Sequence, residues 1–538
     1  MSETRVADVI ARSLALAGVR HVFAYPGETI VDLLEACRVE EIDVVLARRE
    51  ATAAFMAEGL AMATGGVGAC LSTLGPGSTA LANGVASATL DRIPVVALSG
   101  QIDSGREQYF THQVVDHDRL YAPITKWAGR IEPSSVATTM RRALRLATAE
   151  RPGAVHLTLP ADVSGRPATD AAAAAPPMTP MTPTAVASTV FSTGPDPGAV
   201  LAAARRPVVL AGIGAVRAAA TPALVRLAET VSAPVVVAPM AKGVFGEDHP
   251  LFAGVLDMAC GQVLWDLLAE ADLIVTAGFD PVELITPWTL RTPVLHVDAI
   301  PNVDQIYASD CECVGDVGAI LGWLTDGWHG EPRWTEAEIA RHRGRLRDAY
   351  YSGAVAGRLN PTDVVDAVRR AAPRQTLVTT DVGSHKLLVG QGWRAYEPRT
   401  VLMTNGLSSM GFGVPAAIAA KVADPARPVV AMVGDGGFAM TATEVRLAAA
   451  LSLPVVFVVF VDGSLNRIEL TQRARGVPST ATRIEDIDLV KLAESMDCAG
   501  VRAADAAELD KSLQDLPSLT RPLVVEARID PSQYDTQF

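Results

Sequence analysis

No pair of cysteines in this chain stands at C-x-x-C spacing, no apolar run approaches membrane-spanning length, and aromatic residues make up only 5%. Each shortage excludes something. The six cysteines (Cys37, Cys70, Cys260, Cys311, Cys313, Cys498) are scattered through 538 residues, unlike a secreted disulfide framework or the ligand pairs of a zinc site. Only Cys311 and Cys313 lie close together, and alternate positions on a strand or loop read as structural thiols. Without about 18 consecutive apolar residues there is no candidate transmembrane helix. The opening Met1-Ser2-Glu3-Thr4-Arg5 lacks the basic-then-apolar order of a secretion signal, so a cytoplasmic protein with no membrane partner is expected. Excess positive charge is missing too. The formal net charge is −14, which argues against a nucleic-acid partner and requires any anionic ligand to be held locally.

What is present is ordinary globular composition, 49% hydrophobic and 20% charged, over a length that suits about three domains. Apolar runs at Val44-Val45-Leu46, Gly68 to Leu71 and Pro94 to Leu98 alternate with Ala-rich helical stretches. That is the pattern of a doubly wound α/β domain. The alternation returns at Pro207 to Gly212, Pro234 to Ala238 and Leu273 to Gly278, and again at Thr376 to Thr380, Val429 to Val433 and Val455 to Val461. An alanine run followed by Pro176, Pro177, Pro180 and Pro183 reads as an extended linker. The expected fold class is therefore α/β, with three doubly wound parallel-sheet domains in series: 1–166, a linker over 167–185, 186–350 and 351–538. The charged stretch Trp334 to Arg347 reads as a solvated helix leaving the second. Gly212-Ile213-Gly214-Ala215 hints at nucleotide binding, but strand-to-helix turns need glycine for backbone reasons alone.

The chemistry concentrates in the third domain. The strand ending at Val433 runs into Gly434-Asp435-Gly436-Gly437-Phe438, and Thr441-Ala442-Thr443-Glu444 has capping-box spacing that predicts a helix start there. The next strand ends at Asp462-Gly463-Ser464, with Asp462 lying 27 residues after Asp435. That separation is about one strand–helix–strand repeat, so both carboxylates are expected at the same sheet edge, where doubly wound sheets bind ligands. Two acids beside a phosphate would repel it unless a cation lay between, and Mg²⁺ is commonly held by one or two carboxylates plus phosphates. Two other readings stay open on these residues alone. Gly434-x-Gly436-x-x-Ala439 fits a dinucleotide fingerprint, and the turn can be purely structural.

Wider stretches bear on the choice. Gly434-Asp435-Gly436 with Asp462, Arg49 to Gly59 with Gly75-Pro76-Gly77, and Asn405 to Pro415 together resemble, in order, the motifs of thiamine diphosphate (ThDP)-dependent enzymes. Within that family, Thr111-His112-Gln113, Ala122 to Trp127, Gly278 to Glu283 and an Asp at 462 are similar to the FAD-free acetolactate synthase-like carboligases. The resemblance implies pyrimidine-binding, middle and diphosphate-binding domains, with ThDP and Mg²⁺ as cofactors, no FAD, and a middle domain without a functional nucleotide. Asp435, Asp462 and the Ser464 carbonyl would hold the metal. Gly383, Ser384, His385, Gly436, Gly437, Phe438, Leu465 and Asn466 would contact the diphosphate side, Pro26 and Gly27 the pyrimidine, and Ser408 and Met410 the bend between the rings. Glu50 would activate the cofactor, its apolar neighbours Ala51, Ala53, Ala54, Phe55 and Met56 raising its pKa by desolvation.

His112 and Gln113 would reach the reacting carbons. Arg467 and Glu469 stand where relatives set acceptor specificity, and a charged Arg467 suggests an acceptor carrying a carboxylate or phosphate. The implied reaction is decarboxylation of pyruvate or a similar 2-oxo acid, with transfer of the acyl unit to an acceptor carbonyl. The alternatives are a specialised carboligase with another acceptor and a simple 2-oxo acid decarboxylase. A regulatory paralogue without turnover is expected to lose Glu50 or a metal ligand, and neither is lost. A homodimer is the implied minimal active unit, pairing further into a homotetramer. Tyr534 to Phe538 reads as a lid or as a fraying end.

Overall fold

In the computed structural model, which describes residues 4–170, 191–331, 334–514 and 516–538, the apolar runs become strands with helical crossovers between them. The linker expected over 167–185 lies mostly outside these residues. The first sheet contains β1 (His21–Tyr25), β2 (Asp43–Leu46), β3 (Gly68–Ser72), β4 (Val95–Gln101), β5 (Trp127–Arg130) and β6 (Ala154–Pro160), in the order β2-β1-β3-β4-β6-β5. The second contains β7 (Phe191–Thr193), β8 (Pro207–Ala211), β9 (Val235–Val237), β10 (Phe252–Val255), β11 (Leu273–Ala277), β12 (Val294–Asp298) and β13 (Cys311–Val314), in the order β10-β9-β8-β11-β12-β13-β7. The third contains β14 (Leu377–Thr380), β15 (Val401–Leu402), β16 (Val429–Gly434), β17 (Val455–Val461), β18 (Ala499–Ala503) and β19 (Leu523–Arg528), in the order β15-β14-β16-β17-β19-β18.

Every pairing is parallel except that of β13 with β7, an antiparallel edge strand. Central strands such as β4, β6, β8 and β11 are buried along their whole length, as a parallel sheet covered on both faces requires. The α/β fold expected from the sequence is the fold observed. All six cysteines are buried free thiols. The charged stretch after Trp334 forms the helix Glu336–Tyr350, started by a capping box between Thr335 and Glu338.

The chain divides into two compact units, Met1–Thr182 with Gly406–Pro425 and Thr441–Leu453, and Pro183–Asn405 with Ala426–Met440 and Pro454–Phe538. In the first unit the helix Glu50–Thr64 is buried almost all round from Thr52 to Met62. Its neighbours are the helices Pro76–Leu90 and Gly413–Ala423. Small residues allow this closeness. A Cβ on Gly84 would stand 2.5 Å from Ala54 Cβ, and one on Gly59 would stand 2.7 Å from Ala416 Cα. Phe55 meets Phe412 edge-on at 6.0 Å.

Gly84→Val should therefore overpack this junction and destabilise the protein by about 1–3 kcal/mol. Gly105, with nothing within 4 Å of an added Cβ, serves as control, and Gly105→Ala should stay within about 0.5 kcal/mol of the parent. Chemical denaturation checks both. Equal midpoints for the parent and Gly84→Val would contradict the close-packing account.

Candidate active site

Parallel registry between β16 and β17 aligns Gly434 with Phe460, so the residues that follow each strand leave the sheet at the same edge. Asp435 follows the first strand and Asp462 the second. Asp435 Oδ2 accepts the N–H groups of Gly463 at 2.8 Å and Asp462 at 3.2 Å, while Oδ1 accepts that of Gly436 at 2.8 Å. Asp462 Oδ1 in turn accepts the Ser464 N–H at 3.0 Å. Both carboxylates are half-buried, and burial is the main cause that raises each of them. Repulsion from Asp435 adds to burial at Asp462 and takes it to about 7. Arg483, whose charge acts the other way, is paired with Glu469 at 3.1 Å.

The arrangement suits a divalent cation with oxygen ligands, which would offset the mutual repulsion. Among the described residues no group of three His, Cys, Asp or Glu could hold a metal. A cation here would therefore complete its shell from backbone oxygen, water and cofactor phosphate, the habit of Mg²⁺. The backbone on either side of Ser464 is fixed by two bonds, Leu465 N–H to Thr482 O at 2.7 Å and Ile484 N–H to Gly463 O at 3.0 Å.

The same edge gathers the residues expected on the diphosphate side. Ser384 donates to Asn466 Oδ1 at 2.7 Å, tying the turn after β14 to the helix Asn466–Ala474. Gly437 backs onto Asp381, where a Cβ would stand 2.1 Å from Oδ2, and Phe438 is buried behind it. Glu469 accepts from the Ser464 hydroxyl at 2.5 Å and from Arg483, which ties it to the turn after β17.

The His385 ring is buried, stacks on Phe460 at 5.4 Å and is pushed down to about 3, chiefly by desolvation, and its Nε2 has no hydrogen-bond partner among the described residues.

Two corrections concern helix ends. A helix begins at Asp435, not at Thr441, and Ala442–Glu444 is a 3₁₀ turn. Glu444 does not cap Thr441; within the first unit it accepts from the Arg48 N–H at 2.9 Å and from the Thr52 hydroxyl at 2.5 Å. The C-terminal segment does not fray. Pro531–Thr536 forms a 3₁₀ helix in which Tyr534 is buried, its phenol pushed well up by burial and by Asp462 and Asp435. Gln537 donates to the carbonyls of Ala349, Tyr350 and Ser352.

The first unit carries the other expected group. Glu50 is the first residue of its helix, after an extended Arg49, and a Cβ on Gly77 would stand 3.3 Å from Glu50 Oε1. Glu50 is half-buried, and a second acid of this helix, Glu58, is fully buried. Burial, then Asp91, raises Glu58 well above the carboxylate range. Asp91 also accepts the Gly406 N–H at 2.5 Å, anchoring the segment that leads to Ser408 and Met410. Ser408 has positive φ, and Met410 is half-buried. Gly27 lies against Thr73, a Cβ being 2.4 Å from its hydroxyl oxygen, and Pro26 is exposed. His112 and Gln113 occupy an exposed loop, where the Gln113 backbone packs on Gly75.

Sequence reasoning missed Glu58 and Asp91, whose only signal was a charge beside apolar residues, and it did not foresee the burial of Glu444 and Tyr534. It also missed Lys386, whose buried ammonium donates to Thr404 O at 2.8 Å and Asn405 Oδ1 at 2.9 Å. A cavity of about 500 Å³ between Glu247, Tyr350, Tyr351 and Asp366 has none of the expected site residues in its lining.

Three domain families match the chain: the N-terminal TPP binding domain of thiamine pyrophosphate enzymes over residues 4–120, their central domain over 199–324, and their C-terminal TPP binding domain over 381–527. The chain is 29% identical to an acetolactate synthase of Bacillus subtilis (strain 168), covering 98% of this chain and 94% of that protein. It is 30% identical to a catabolic acetolactate synthase of Raoultella terrigena, covering 97% and 95%. It is also 30% identical to a probable 2-ketoarginine decarboxylase of Pseudomonas aeruginosa, covering 94% and 91%.

In the second unit the Gly212-x-Gly214 turn is filled from within. Glu283 Oε2 accepts the Ile213 N–H at 2.9 Å, and burial raises this carboxyl to about 8, with Arg217 opposing weakly. A carboxyl raised in the fold contributes full stability below its unfolded value of 4.5 and loses it as pH climbs towards 8. Glu283→Gln removes that titration, so its melting temperature should fall less than the parent's between about pH 5 and 8. Parallel curves would show that the buried acid does not titrate.

Proposed function

We propose, from the premise that this chain belongs to the ThDP-dependent, acetolactate synthase-like enzymes, that it decarboxylates pyruvate or a similar 2-oxo acid and joins the acyl unit to an acceptor carbonyl. The carrying observation is the Asp435–Asp462 pair, two half-buried carboxylates at adjacent strand ends whose repulsion a Mg²⁺ ion would relieve. Asp435, Asp462 and the Ser464 carbonyl would hold the ion. Gly383, Ser384, His385, Gly436, Gly437, Phe438, Leu465 and Asn466 would surround the diphosphate.

When bound, ThDP supplies the electron sink into which the bond to CO₂ breaks. Glu50 would hold and return a proton at its carboxyl against the cofactor's aminopyrimidine. Gly27 and Pro26 would support that ring, with Ser408 and Met410 setting its angle to the thiazolium. His112 and Gln113 would donate to oxygen as it gains charge on the reacting carbonyl. With pyruvate as both donor and acceptor, two pyruvates and a proton give acetolactate and CO₂. FAD has no part in this balance, because no electrons leave the substrates. A homodimer is the proposed active unit, able to pair into a tetramer.

Simple decarboxylation is the second reading, supported by the likeness to a 2-ketoarginine decarboxylase. Arg467 weighs against that substrate here, since among the described residues its half-buried guanidinium has only the Met258 sulfur and the Phe538 ring beside it, and a second guanidinium would be repelled.

Incubation with ThDP, Mg²⁺ and pyruvate should release CO₂ and form acetolactate, identified by mass spectrometry. Glu50→Gln should lower CO₂ release by about 10²–10⁴-fold while tryptophan fluorescence still reports cofactor binding. Unchanged turnover in that variant would remove Glu50 from the mechanism. CO₂ with aldehyde and no acetolactate would favour the second reading.

A further inference from the structure

Arg467 sits where several local rules disfavour it. It lies in the first turn of the helix Asn466–Ala474, at the end where the backbone dipole repels a cation. Burial alone shifts its guanidinium, downward from the ordinary range. No carboxylate pairs with it among the described residues. The arginines around it are satisfied, Arg473 by Asp535 and Arg483 by Glu469 at 3.1 Å. What Arg467 touches is soft and apolar, with Met258 Sδ at 3.9 Å and the Phe538 ring centroid at 4.8 Å. A half-buried charge left unpaired is costly unless a ligand completes it.

Its surroundings locate that ligand. Asn466, the preceding residue, bonds Ser384, and Asp462 and Ser464 belong to the turn that feeds the same helix. Phe538, which stacks on Tyr534 at 6.0 Å, closes the other side of Arg467. Arg467 is thus linked to the carboxylate pair through the chain.

We infer that Arg467, walled by Phe538 and Met258, is a specificity subsite for a second carboxylate on a 2-oxo acid substrate. The inference rests on the 2-oxo acid chemistry proposed above. A guanidinium fork matches a carboxylate with two parallel hydrogen bonds, and the apolar wall strengthens the pairing by excluding water. One guanidinium balances one negative charge, which favours a carboxylate over a phosphate group carrying about −1.5 to −2.

If the dicarboxylic acid is the acceptor and pyruvate the donor, the pyruvate bond to CO₂ breaks and its electron pair forms the new carbon–carbon bond to the acceptor carbonyl. One proton ends on the former carbonyl oxygen. If it is the donor, its own bond to CO₂ breaks and the electron pair either takes up a proton, releasing an aldehyde that retains the second carboxylate, or forms the new carbon–carbon bond to a pyruvate carbonyl whose oxygen takes the proton.

The test uses the holoenzyme with ThDP and Mg²⁺. Glutarate and butyrate, which lack the 2-oxo group, are titrated calorimetrically, and 2-oxoglutarate and 2-oxobutyrate are compared in turnover, each alone and with pyruvate. Glutarate should bind at least about tenfold more tightly than butyrate, and Arg467→Met should weaken it by about 30-fold or more. The kcat/KM ratio of 2-oxoglutarate to 2-oxobutyrate should fall by a similar factor, with Arg467→Lys restoring part of it. CO₂ from 2-oxoglutarate alone marks it as donor; an adduct formed only with pyruvate marks it as acceptor. Either supports the subsite. Equal binding of glutarate and butyrate, or a ratio unmoved in Arg467→Met, would overturn it even if pyruvate still releases CO₂. No CO₂ from any 2-oxo acid would overturn the underlying reading instead.

Discussion

Two like charges held at neighbouring strand ends shape everything around them. The parallel registry of β16 and β17 brings Asp435 and Asp462 to one edge, and in a half-buried setting each makes the other harder to ionise. Nearby backbone groups absorb part of that field. Asp435 gathers three N–H groups, two of them from the Asp462 turn, so the first carboxylate fixes the position of the second. Ser464 is then held through Glu469, Glu469 through Arg483, and Asn466 through Ser384. Even the buried Tyr534 phenol near the C-terminus registers both acids. A divalent cation held by this turn would offset the repulsion between the two acids.

A different kind of constraint holds the segment bearing Glu50. Ala and Gly on the helices Glu50–Thr64, Pro76–Leu90 and Gly413–Ala423 let backbones approach until a single Cβ would collide. Polar groups trapped there must find partners within the layer. Glu444 reaches Thr52 and Arg48, while Glu58 shares its environment with Ser87 and Asp91. These contacts set where the helix starts, and hence where Glu50 stands.

Much of this was legible in the sequence because parallel strands buried on both faces read as continuous apolar runs. Val455 to Val461 and Val429 to Val433 were recognisable without a structure, and the spacing between Asp435 and Asp462 followed from one crossover repeat. The short or less apolar strands were not, among them Val401–Leu402, Trp127–Arg130 and the antiparallel Phe191–Thr193. Local pattern also misled. Thr441 to Glu444 has the spacing of a capping box, yet Glu444 is claimed by Thr52, nearly four hundred residues away in sequence. That His385 is buried against Phe460 is a tertiary fact its neighbours in sequence do not disclose. That Glu58 is fully buried depends on which helices close over it, which its neighbours in sequence do not disclose. Arg467 was visible as an odd charge, though its lack of an acidic partner was not.

The account stands on the acid pair requiring a cation to accept a diphosphate. Calorimetric titration of ThDP into chelator-treated protein, with and without Mg²⁺, tests this directly. Binding should be at least about tenfold tighter with Mg²⁺, a difference of about 1.4 kcal/mol, and Asp462→Ala should largely remove the dependence. Equally tight binding of ThDP with and without the metal would contradict it.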